Sequence, residues 1–221
     1  MSDSANSGYR EPVNILVLVS GGGTNLQALI DAENAGVFNS IGLEMICGKI
    51  TAVLSDRPGV YALERAQTAG IQAFVEKPDR SLPKPERRKE LSDRILVICR
   101  KLHISLIIHA GFLSVLSGEI INEYSGRMIN IHPALLPKYG GQGMYGIHVH
   151  EAVLAAGEKE SGCTVHLVEA GIDTGKILLQ SKVSVLPGDT PEVLAQRVLE
   201  EEHIAIVEGA RMAINLLCNL H

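Results

Sequence analysis

Two polar residues stand among isoleucines in the run Ile129-Asn130-Ile131-His132-Pro133-Ala134-Leu135-Leu136-Pro137. In an extended chain this alternation directs Asn130 and His132 to one face. Pro133 biases His132 toward extended geometry and ends regular pairing, so both side chains are expected in a crevice beyond a strand end. A carboxamide N–H and a protonated imidazole side by side suit an oxyanion developing on an attacked carbonyl. An imidazolium in a partly dry site needs a carboxylate neighbour, because its ordinary pKa is only about 6.5. Asp173, in the glycine-flanked Gly171-Ile172-Asp173-Thr174-Gly175, is the candidate; the alternative is an ordinary turn aspartate. No cysteine or serine stands beside the histidine as a supported nucleophile, so direct transfer without a covalent acyl-enzyme is expected.

A second group with chemical potential is Ser20-Gly21-Gly22-Gly23-Thr24-Asn25, between an apolar run and a helical pattern. Free amides and the helix dipole at such a junction bind phosphate, and glycines let the backbone approach it. No Gly-Lys-Ser/Thr follows, and the spacing fits a dinucleotide fingerprint poorly, so a phosphate monoester is the better match. The alternative is a tight turn capped by Thr24.

The remaining histidines give weaker signals. His148 and His150, with Glu151 and His166 nearby in type, suggest a metal set, but i, i+2 spacing near a helix start points the pair apart, and no metal is expected. Strand alternation allows His166 to support the cleft or to sit in the core. His103, His109, His203 and His221 receive no role.

Positioning these groups requires alternating strands and helices. Val13–Val19, Ile50–Leu54, Ile71–Val75, Ile104–His109 and Met128–Ile131 read as strands, most of them buried on both faces. Helical spacing occupies Leu26–Ala35, the stretch from Tyr61 to Gly70, Pro83–Leu102 and Leu116–Tyr124. The pattern predicts a doubly wound, mostly parallel α/β sheet with helices on both faces and ligands at the carboxyl ends of its strands. Cys163–Val168 and Lys176–Val185 read as two strands opposed to the rest, before a long helix from Pro191 to Leu217.

The chain's 221 residues suit one domain over residues 13–221 after a disordered polar tail, residues 1–12. A net charge of −5 and a pI near 5.9 argue against an obligate nucleic-acid binder. No signal-like or membrane-length apolar segment is present in the sequence, so a cytoplasmic protein without membrane partners is expected. Cys47, Cys99, Cys163 and Cys218 lack zinc or disulfide spacing and are expected as buried free thiols.

With these residues in place, the chain resembles the glycinamide ribonucleotide (GAR) transformylase family, the folate-dependent formyltransferases of purine synthesis. The likeness runs from about Val13 to Leu217, through SGGGTNLQALID (20–31), SDRPGVYALERAQTAGI (55–71), AGFLSVLS (110–117), Asn130–Pro137, GCTVHLVEAGIDTGKILLQ (162–180) and the helix bearing Glu202-His203. It implies a Rossmann-like formyltransferase fold, catalysis by Asn130, His132 and Asp173, and 10-formyltetrahydrofolate as co-substrate. It further implies that Gly22, Gly23, Thr24, Asn25 and Glu202 bind the ribonucleotide. Folate would meet Arg88, Phe112, Leu113, Ser114, Val115, Leu116, Asn130, Glu169, Ala170, Gly171 and Ile172, with backbone groups of Leu113–Leu116 facing the pterin. The resemblance implies small-molecule partners and a monomer or homodimer. Leu199 departs from the basic residue some members carry, and Gln142–Gly146 lengthens a loop. The alternatives are a formyltetrahydrofolate deformylase, expected to carry a regulatory domain for which this length leaves no room, a methionyl-tRNA formyltransferase, expected to add a tRNA-binding domain, and a non-catalytic folate- or nucleotide-binding module.

Overall fold

In the computed structural model residues 12–39 and 48–218 are described. The expected tail, the Cys47 thiol and His221 lie outside the described residues. In chain order the elements are β1 (Val13–Val19), α1 (Thr24–Asn34), β2 (Gly48–Ser55), α2 (Tyr61–Thr68), β3 (Gln72–Val75), α3 (Lys84–Lys101) and β4 (Leu106–His109). They continue with α4 (Glu119–Glu123), β5 (Met128–His132), α5 (Ile147–Ala155), β6 (Glu160–Leu167), β7 (Ile177–Ser184) and α6 (Pro191–Cys218).

One seven-stranded sheet has the order β3-β2-β1-β4-β5-β6-β7. Its centre follows from β1, whose successive apolar residues feed opposite faces. Ile15, Val17 and Val19 join Leu26 and Leu29 of α1 and Ile206, Ala210 and Ile214 of α6 in one layer. Leu16 and Leu18 join Leu91 and Ile95 of α3 and Ile120 of α4 in the other. Each fully buried side chain of this kind contributes about 1.5–3 kcal/mol, which favours β1 as a central strand over an edge strand.

Strands β1 to β5 are mutually parallel, as expected. The expectation that both later strands oppose them is corrected in part. β6 is antiparallel to β5, but β7 is antiparallel to β6 and so runs with the first five. The short connection between β6 and β7 makes a hairpin, and a hairpin necessarily reverses direction a second time. The fourth helix is shorter than the Leu116–Tyr124 periodicity predicts, because Gly118 at φ 79° holds the chain out of helical geometry until Glu119.

The chain leaves β1 toward β2 and β3 and then returns to place β4 on β1's other side. This is a topological switch point, where the connections at the carboxyl ends diverge and leave a crevice. The glycine loop follows β1, His109 ends β4 and His132 ends β5, so all three approach that crevice.

Candidate active site

At the end of β1, Gly23 is the residue before α1 and adopts a left-handed conformation with φ 71° and ψ 34°. A Cβ at this position would lie 2.6 Å from the Ala62 Cβ of α2, so both the backbone angle and the close packing require glycine. Thr24 is the first helical residue, and the helix start has no side-chain cap, which removes the Thr24-cap reading. Gly21 and Gly22 have nothing within 4 Å of an added Cβ. Arg65 Nε donates to the Gly22 carbonyl at 2.9 Å, and the Ala62 amide donates to the Gly21 carbonyl at 3.2 Å. The loop's carbonyls are thus tied back to α2, an arrangement that suits amides to face outward as an anion site.

Asn25 joins this loop to the main cavity. Its Nδ2 donates to Glu202 Oε2 of α6 at 2.7 Å, and both residues line a cavity of about 990 Å³. Burial pushes the Glu202 carboxyl above its ordinary range, and the Asn25 hydrogen bond pulls it partly back. Gly22, Gly23 and Thr24 lie beside this cavity and do not line it, whereas Asn25 and Glu202 do.

In the middle of the cavity Asn130, His132 and Asp173 come together as expected. β5 places Asn130 and His132 on the face opposite Ile129 and Ile131. The β6–β7 hairpin delivers Asp173, held at φ 55°, with Oδ2 accepting the Gly141 amide at 2.9 Å and lying 3.6 Å from His132 Nδ1. His132 Nε2–H donates to the Tyr139 carbonyl at 2.8 Å, so Nδ1 is the ring nitrogen that faces Asp173. His166 lies beside them. Its Nδ1–H donates to Leu167 O at 2.8 Å, and its Nε2 stands 3.1 Å from Asn130 Nδ2 as the acceptor of that amide. His166 Nε2 is also 3.6 Å from Asp173 Oδ1, which makes it a support of the cleft and decides between its two sequence readings.

The protonated His132 anticipated from sequence is not the state of this site. Burial pushes its pKa down and outweighs the upward pull of Asp173 and the Tyr139 carbonyl. Asp173 is held below the ordinary carboxylate range although burial opposes ionisation, with the Gly141 amide donating to its Oδ2. A proton added to His132 Nδ1 would therefore face an ionised carboxylate, too far for a hydrogen bond but close enough for charge stabilisation.

The remaining wall contains the segments expected to meet folate. Phe112, Leu113, Ser114, Val115 and Leu116 line it, as do Glu169, Ala170, Gly171 and Ile172, while Arg88 stands with Arg57, Arg80 and Arg87. One expected backbone donor is already committed, because Leu113 N–H donates to Ser20 Oγ at 2.8 Å. Ser114 Oγ donates to Asp56 Oδ2 at 2.6 Å, tying this loop to the end of β2. The Cys99 and Cys163 thiols are buried and free, and burial pushes each up to about 12. His148 is exposed and bonded to Glu151, whereas His150 is buried at the cavity wall, so the pair diverges.

Sequence reasoning missed Tyr139, Gly140 and Gly141. Tyr139 and Gly141 act through backbone groups, and a Cβ at Gly140 would come 2.5 Å from Leu136 Cδ2 and 3.3 Å from Asp173 Cβ. Their one sequence signal is the glycine pair itself, which marks a close approach of chain segments. Asp56, which directly follows β2 and has no role in the sequence reading, is 5% exposed and lines the cavity. His150 and His109 were likewise given no place in the site.

Residues 13–209 match the formyl transferase family. The chain is 41% identical over 201 residues to the trifunctional purine biosynthetic protein adenosine-3 of Drosophila melanogaster, a match covering 91% of this chain and 14% of that protein. The chain thus spans about one seventh of that relative. It is 36% identical to the phosphoribosylglycinamide formyltransferase of Escherichia coli K12, over 86% of this chain and 82% of the relative. The crystal structure of glycinamide ribonucleotide transformylase 1 from Symbiobacterium toebii superposes with a TM-score of 0.81 at 35% identity, covering 96% of this chain and 93% of that one. The match across nearly the whole sheet and its cavity makes this chain a member of the formyl transferase family, among the phosphoribosylglycinamide formyltransferases.

Proposed function

We propose that the chain transfers the formyl group of 10-formyltetrahydrofolate to the amine of 5′-phosphoribosylglycinamide, a step of purine synthesis. The observation that carries this reading is the Asn130–His132–Asp173 cluster between two dissimilar ends of one cavity. One end has Asn25 and Glu202, with the glycine loop after β1 beside it, suited to a phosphorylated sugar. The other has an apolar wall and a cationic rim at Arg57, Arg80, Arg87 and Arg88, suited to a flat heterocycle with an anionic tail.

The amine attacks the formyl carbon, a C–N bond forms, and the carbonyl oxygen becomes an oxyanion. One Asn130 N–H is held by His166, and the second is the donor assigned to that oxygen. The amine proton passes through a water oriented by Asp173 to His132 Nδ1, and Asp173 stabilises the imidazolium. As the oxyanion returns to a carbonyl and the carbon–N10 bond breaks, that same proton is delivered to N10, leaving formylated glycinamide and tetrahydrofolate. Much of the rate enhancement comes from holding amine and formyl carbon together beside the Asn130–His132–Asp173 cluster. We read residues 13–221 as one catalytic domain in a cytoplasmic setting, supported by the buried free thiols of Cys99 and Cys163.

The test is folate absorbance during incubation of purified protein with 10-formyltetrahydrofolate, with and without the ribonucleotide. Deformylation that requires the ribonucleotide and yields formylated product is expected. Folate turnover without it would establish a hydrolase, and no turnover with both substrates present would overturn the enzymatic reading.

A further inference from the structure

Three neighbouring strands set His109, Asn130 and His166 in one row. His109 of β4 stands opposite Asn130 of β5, and Asn130 stands opposite His166 of β6. Their chain neighbours Ile108, Ile129 and Val165 all belong to the layer on the other side of the sheet, so the row occupies one face. Asn130 is thus flanked by two imidazoles. Both nitrogens of His166 have partners. His109 differs: it is 6% exposed, it lines the cavity, and its Nε2 is buried without a hydrogen-bond partner among the described residues.

The His109 ring packs edge-on against Phe112, with centroids 5.5 Å apart and planes at 82°. Burial, reinforced by His166 and only partly offset by Asp173, holds the imidazole at about 3, so it is uncharged throughout the working pH range. An uncharged imidazole offers one N–H and one lone pair, and exchanging tautomers swaps which nitrogen carries which. Leaving such a nitrogen unpartnered costs on the order of 1–3 kcal/mol, whereas an apolar side chain at this strand end would carry no such cost. The position beside Phe112, at the junction of the apolar wall and the catalytic row, identifies what can satisfy it. A flat heterocycle stacked along that wall would bring its nitrogen- and oxygen-bearing edge to the ring.

We propose that His109 is a specificity-determining residue of the folate pocket, its uncharged imidazole exchanging a hydrogen bond with the polar edge of the bound reduced pteridine. This rests on the formyl-transfer reading above and adds to it a recognition group that the catalytic cluster does not supply. Asn130 thereby has a structural partner on one side in His166 and a ligand-facing neighbour on the other in His109.

The experiment compares wild type, His109→Leu and His109→Asn by calorimetric titration with tetrahydrofolate, the product folate that cannot transfer, and by steady-state kinetics with both substrates. In the Leu variant the tetrahydrofolate Kd and the formylfolate KM are expected to rise roughly tenfold, the scale of one neutral hydrogen bond. Turnover and the ribonucleotide KM should stay within about twofold, and the pH–rate profile should not move. The Asn variant should recover part of the folate affinity. The ligand-free Tm of the Leu variant should hold or rise, since an unpartnered polar group is removed. Undiminished tetrahydrofolate binding by the Leu variant would overturn the assignment, as would a fall in ligand-free Tm accompanied by equal losses for both substrates. If the wild type itself binds no tetrahydrofolate, the functional reading fails and the proposal fails with it; if wild type and Leu variant bind it equally, only the role of His109 falls.

Discussion

The two ends of the cleft are made of different materials. At the end proposed for the ribonucleotide the candidate recognition groups are backbone amides at the start of α1, in a loop held by packing on α2 and by hydrogen bonds from Arg65 and Ala62. At the proposed catalytic end they are side chains: burial pushes His109, His132 and His150 down, whereas Asp173 is held below its ordinary range against burial. A backbone-built site depends on the path of the chain and is indifferent to most side chains along it. A side-chain-built site depends on residue type and on proton occupancy.

Substitutions can break this contrast. The largest effect is expected from His132→Ala or Asp173→Ala, each lowering turnover by on the order of a hundredfold or more while the melting profile stays cooperative. Near-normal turnover would remove that residue from the chemistry. Next comes Gly23→Val, which should act on folding before it acts on binding. The left-handed angle and the 2.6 Å approach to Ala62 imply a stability loss on the order of 3 kcal/mol. Retained Tm in this variant would contradict the packing described. Gly22→Ala separates the two roles, because an added methyl meets open space. The ribonucleotide KM should rise severalfold at constant turnover and Tm, and an unchanged KM would take the amides out of phosphate binding.

The proton-dependent half predicts a pH profile for stability. His109, His132 and His150 are held below the ordinary histidine value of about 6.5, so the unfolded chain takes up protons that the folded chain refuses. Stability is therefore complete above about pH 6.5 and is lost as pH falls, for His109 toward about 3, at up to about 1.4 kcal/mol per pH unit for each group. The depressed Asp173 adds to this below the ordinary carboxylate range, while Glu202, raised by burial, works in the opposite direction. Melts between pH 5 and 8 should show Tm rising with pH to about 6.5 and then levelling; a profile flat or falling between pH 5 and about 6.5 would mean that the histidines are not buried as neutral rings. The smallest effect belongs to Thr24→Ala, an exposed first helical residue without a capping bond, which should change stability by less than about 0.5 kcal/mol by denaturant titration.

The sequence made the same contrast visible only in part. β1 was legible because seven consecutive apolar residues can be satisfied only by burial on both faces. Asn130 and His132 were legible because strand alternation is a local rule. The approach of Asp173 depends on a hairpin folding across more than thirty intervening residues and on a left-handed aspartate, neither of which a local pattern encodes. Tyr139 and Gly141 contribute a carbonyl and an amide, which every residue has, so no side-chain signal marks them. The charge state of His132 was misread because the sequence names its carboxylate partner but not the depth of burial against which that partner must compete. His109 received no role because its neighbour across the sheet is set by register, which appears only when β4 and β5 pair.

Tyr139 and Gly141 hold His132 and Asp173 from a single short stretch of backbone that precedes the longer loop at Gln142–Gly146. These anchors are upstream of Gln142–Gly146, which lines the cavity, so a change of length beyond Gly141 is expected to fall on the rim and to leave the two anchoring hydrogen bonds in place.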